Sequence, residues 1–155
     1  MSSTRLDQIV HDLESCFDGR PWYGDSVMKK LNGVPWQKVN ETVYGEKSIA
    51  VLVQHIINWR VFVLKKLQGD VEYDLIIDGP NDWSPIHIAD QKGWEDLLNR
   101  LRGTQHSILE LLSKNTDALL DKNVPGKAYT FGDVLPSLTQ HDIYHLGQIA
   151  MLNTL

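Results

Sequence analysis

The sequence predicts an all-α fold, a four-helix bundle with long connections. Two patterns carry the prediction. Four stretches repeat apolar residues at steps of three and four, and no stretch of useful length alternates apolar with polar residues as a half-buried strand would. Size agrees: 155 residues, 42% of them hydrophobic and 23% charged, suffice for one domain over 1–155 with a core that needs no disulfide or metal staple.

The first helix is marked by Leu6, Ile9, Val10, Leu13, Cys16 and Phe17, and Gly19 with Pro21 ends it. On that apolar face Cys16 reads as a small core side chain. Residues 21–45 are punctuated by Gly24, Gly33 and Pro35, which leaves room for one short helix near 26–31. The second long helix is expected over 46–67, apolar around most of its circumference and therefore buried on several sides.

The stretch 78–85, with Gly79, Pro80 and Pro85, breaks the chain within a loop of about twenty residues, long enough to be functional. Just before it, 71–77 is the best strand candidate. Asp90 offers an N-cap for the third helix, carried by Trp94, Leu97, Leu98, Leu101, Ile108, Leu111 and Leu112, weakened locally at Gly103 and ending near 114–115. A short, helix-compatible piece at 116–120 and a turn at Val124, Pro125 and Gly126 lead to the last helix, which runs to the C-terminus.

Net charge is -5, and the 15 Lys and Arg are scattered rather than gathered along one face, which disfavours nucleic-acid binding. A single cysteine excludes an internal disulfide and suits a reducing compartment. The N-terminus lacks the basic and apolar regions of a signal peptide. The longest apolar stretch, 48–64, is interrupted by Gln54, His55, Asn58 and Arg60, residues costly in lipid. Cytoplasmic location and no membrane partner are the expectations.

Chemistry is concentrated in histidines. His141 and His145 lie four apart on the last helix, about 40° around it and about 6 Å along it, so both rings reach one ion. They fall in a stripe with Phe131, Leu135, Leu138, Gln148 and Leu152, where core leucines are expected. Two buried imidazoles there need compensation that a metal would supply. His55, on the inner stripe of the second helix with Leu52, Trp59 and Phe62, is the candidate third ligand. His11 and His106 read as surface residues, and His87 as a loop residue near Trp83. Gln148, one turn beyond His145, is a candidate to bond a ligand or a metal-bound water, or else to support the centre by satisfying a neighbouring side chain or backbone group, whereas Asp142 and Tyr144 point to other faces and suit supporting or interface roles. No Asp or Glu shares the inner stripe with the histidines.

Taken together, His55, His141-x-x-x-His145 with Tyr144, Gly147 and Gln148, Pro21-Trp22 after the first helix and Trp83 before the third resemble the DinB-like, or YfiT-like, metal-binding four-helix bundles. The resemblance implies an up-down-down-up bundle in which three histidines hold one divalent ion (zinc, nickel or iron), often in a homodimer. Its characterised relatives include thiol-dependent transferases and isomerases that use a low-molecular-weight thiol such as bacillithiol or mycothiol, and many other members have no known reaction. The leading expectation is thus a metal-dependent thiol S-transferase acting on a small electrophilic molecule. A metal-dependent hydrolase and a non-catalytic metal-binding or stress-response module are the alternatives, and a bundle that binds no metal is the last. The apolar second helix and five tryptophans are consistent with a homodimer.

Overall fold

Short polar side chains decide where the helices begin. Ser26 Oγ accepts from Lys29 N, Ser48 Oγ from Val51 N, and Asp90 Oδ1 from Gly93 N; Thr130 and Asp133 bond reciprocally in a capping box. Each cap satisfies an N–H that the first turn leaves unpaired. The computed structural model describes residues 4–43 and 45–155. It contains α1 (Thr4–Asp18), α2 (Val27–Asn32), α3 (Ile49–Leu67), α4 (Gln91–Leu112) and α5 (Phe131–Asn153), with 3-10 turns at Trp36–Lys38 and Asp117–Asp121.

The helices fall where apolar periodicity puts them, with one shift: α3 starts at Ile49, three residues after the expected 46, because Ser48 is its cap. Gly103 does not interrupt α4. Among the described residues there is no strand, only an isolated bridge between Asn123 and Thr130. The strand candidate at 71–77 is turn and irregular chain. Asp70 Oδ1 takes the N–H groups of both Glu72 and Tyr73, a side-chain alternative to a ladder.

Helix α3 packs against both α4 and α5, and α1 touches the same two from the other side. The core is divided. One apolar cluster gathers Phe17, Ile56, Ile57, Leu101 and Leu146; the other gathers Leu13, Phe62, Val63, Ile108 and Leu138. On each helix the boundary falls within about two turns, and a polar layer occupies it. Arg60 on α3 donates to Asp142 on α5 and to Gln105 Oε1 on α4, and Gln105 in turn donates to the Leu13 carbonyl. Arg60 and Asp142 are only 1% and 2% exposed. Among the described residues no helix is long and apolar enough to cross a membrane.

Candidate metal centre

The capping of α3 and α5 sets the register that turns His55, His141 and His145 toward one another. His55 Nε2 lies 3.0 Å from His141 Nε2, and one ring nitrogen from each of the three histidines lies within 4.8 Å of the others. His55 and His145 are buried and His141 is half-buried. The rings stand steeply to each other, at 79° for His141 and His145 and 85° for His55 and His145, so their edges converge on one point.

The outward nitrogens of two rings are already committed. His55 Nδ1 is 2.9 Å from Asp82 Oδ1 and 3.0 Å from the Asp82 carbonyl, both acceptors, so Nδ1 carries the proton and Nε2 the lone pair. His145 Nδ1 is 2.6 Å from Gln148 Oε1. With the amide oxygen accepting, His145 Nε2 is likewise the free lone pair. These are the partners that orient metal-ligating histidines and raise their basicity. Asp82 is a hub: Oδ1 also accepts from Trp59 Nε1, Oδ2 from Asp78 N, and its carbonyl from Asn58 Nδ2. Asp78 has a positive φ of 63°, a left-handed turn that Asp tolerates and that folds the loop back onto its own carboxylate. Trp83, next in sequence, stacks flat on His55 at 3.7 Å, and Lys47 Nζ lies 3.8 Å from the centre of the Trp83 ring.

Residues 26–149 match the family model described as the DinB superfamily. The chain belongs to the DinB superfamily. No curated protein and no solved structure gives a match to it.

In this DinB-superfamily chain the surroundings of His141 and His145 favour their neutral rings. His141 is pushed down to about 4, first by burial and then by the neighbouring His145 and His55. Burial also lowers His145, partly offset by its bond to Gln148. Neutral imidazole is the form that coordinates a metal. His141 supplies the test of fit. Its Nδ1 is buried without a hydrogen-bond partner, while its Nε2 faces the lone pair of His55. Either a proton or a cation must lie between those two nitrogens, because two bare lone pairs at 3.0 Å repel. The donor set, three imidazole nitrogens with two outward edges already anchored, suits a divalent ion.

A pH dependence follows for the metal-free protein. Between pH about 4 and 6.5 the unfolded chain binds a proton at residue 141 that the folded chain refuses, so stability falls as pH drops through that window and is constant in this respect below it. Urea midpoints in the presence of a chelator should decline from pH 7 to pH 5, and His141→Gln should flatten the decline. A parent midpoint that does not move would contradict the burial described for His141.

The structure thus brings together His55, His141 and His145, the three expected ligands, and ties Gln148 to the His145 ring rather than to a ligand position. Asp142 turns away from the histidines into the ion pair with Arg60, and Tyr144 is exposed on α5. His11, His106 and His87 are exposed; His87 lines a shallow cavity with Trp83. Cys16, expected in the core, is half-buried, because α1 turns only Leu6, Leu13 and Phe17 fully inward. Asp82 was not anticipated. The helical stripes contain no carboxylate beside the histidines, as expected, but the 68–90 connection delivers one. Its signal in the sequence was only its place before Trp83 in a loop too long for a connector.

Proposed function

We propose that this protein binds one divalent ion, zinc, nickel or iron, through His55, His141 and His145, and acts as a metal-dependent thiol S-transferase on a small electrophilic molecule. One observation carries the reading: three imidazole edges converge, two with their far nitrogens anchored by Asp82 and Gln148. Three protein ligands leave an open coordination position, the arrangement of catalytic rather than structural sites. An ion held there lowers the pKa of a bound thiol or water. In the transfer, the thiol sulfur bonds to the electrophilic carbon, the leaving group departs with its bonding pair, and the thiol proton passes to solvent.

Asp82 favours transfer over hydrolysis. A hydrolase needs a base beside the attacking water, but this carboxylate faces His55 Nδ1, on the edge of the ring away from the converging nitrogens. It already accepts from His55, Trp59 and Asp78. The reading includes the up-down-down-up order of the long helices and a homodimer, supported by exposed Tyr144 and Met151 two turns apart on α5.

Metal-loaded protein assayed with a panel of low-molecular-weight thiols and alkylating electrophiles, and in parallel with esters and amides, tests it. Turnover that requires both thiol and metal is expected. Ester or amide turnover without thiol would replace the transferase by a hydrolase, and metal binding without turnover of any kind would leave a binding module.

A further inference from the structure

One cavity adjoins the histidine cluster through His141. It has a volume of about 200 Å³ and is walled by Trp59 and Val63 of α3 and Val134, Ser137, Leu138 and His141 of α5. Its other polar groups are spent elsewhere: the Trp59 indole N–H donates to Asp82 Oδ1, and Ser137 Oγ donates to the Asp133 carbonyl. No Asp, Glu, Lys or Arg lines it. His141 alone presents a polar ring, and that ring belongs to the metal centre.

Size and chemistry select the occupant. An apolar cavity of about 150 Å³ stays dry and takes benzene, whereas pockets for whole drug-sized ligands begin near about 300 Å³. This pocket therefore suits one compact group rather than an entire cofactor. A sugar-bearing thiol or an anion would leave its hydration behind and find, besides the His141 ring, no polar side chain on these walls that is not already bonded. The larger cavity between α1 and α4 carries His11, Glu14, Asp18, Arg20 and Arg102 and has no wall in common with the triad.

We infer that the pocket of Trp59, Val63, Val134 and Leu138 holds an uncharged apolar group, about the size of a benzene ring or a branched alkyl chain, belonging to the substrate whose reacting end lies at His141. The inference rests on the triad being a reaction centre, and its test is independent of turnover.

The probe is toluene, titrated into metal-free and zinc-loaded protein and followed by the NMR signal of the Trp59 indole N–H, assigned with Trp59→Phe; benzoate is the charged control. Toluene should shift the signal saturably and benzoate should not. Val134→Trp, at a half-buried position, should weaken toluene binding at least tenfold, while Val134→Ala keeps it. Circular dichroism of both variants separates plugging from unfolding. No saturable shift by toluene, an equal shift by benzoate, or undiminished binding in folded Val134→Trp would overturn the inference. Metal content is measured on the same samples. Zinc bound without a toluene shift defeats the pocket alone, and a toluene shift in protein that never takes up zinc supports the pocket while defeating the metal reading.

Discussion

Asp142→Ala is expected to cost about 3–5 kcal/mol of folding stability, more than any other single truncation on α5, because it leaves a guanidinium buried without its counter-charge. Arg60 is 1% exposed and, once the carboxylate is gone, keeps Gln105 Oε1 as a hydrogen-bond acceptor and the face of Phe17, but no counter-charge. Burial pushes the Asp142 carboxyl upward while Arg60 holds it down, so the two charges are tolerated only together. The double variant Arg60→Met with Asp142→Leu should recover most of the loss, since a buried pair replaced by apolar side chains of similar volume is often neutral or stabilising. Urea denaturation of the parent, Arg60→Met, Asp142→Leu and the double variant completes the cycle. A loss below about 1 kcal/mol for Asp142→Ala would mean that water reaches Arg60 and that the layer dividing the core is not dry.

Asp82→Asn should weaken metal affinity by about 10–100-fold with little change in overall helicity. The substitution keeps the volume and an oxygen able to accept from His55 Nδ1 and Trp59 Nε1. It removes the charge that makes His55 a better ligand, and it presents an NH2 group to the Asp78 N–H that Oδ2 now accepts. Competition of zinc against a chelator of known affinity measures the effect. Affinity within twofold of the parent would make Asp82 a strap for the loop and nothing more.

These two residues also mark where the sequence ceases to be legible. The pair His141 and His145 could be read because a helix makes four residues of sequence into one turn of structure, and His55 because it interrupts an apolar helix where a core side chain belongs. The helices themselves followed from periodicity and, for α4, from Asp90 at its start. Asp82 is different: it lies 27 residues from His55, across the end of α3 and the irregular connection that follows, and no periodicity connects the two. Arg60 was visible as a polar interruption of α3, but its partner lies 82 residues away. Asp142 stands beside His141 in sequence yet, turned by about 100° around the helix, enters the polar layer with Arg60 instead of the histidine cluster. Gln148 shares the histidine stripe by spacing, while its bond to His145 depends on a rotamer that spacing does not specify.

The account stands most directly on whether the three histidines bind an ion. Elemental analysis of protein purified without added metal, beside His55→Ala and His141→Ala prepared in the same way, answers it. Roughly one divalent ion per chain is expected in the parent and almost none in either variant. Equal metal content in all three proteins, or none in a correctly folded parent offered zinc, nickel and iron in turn, would contradict it.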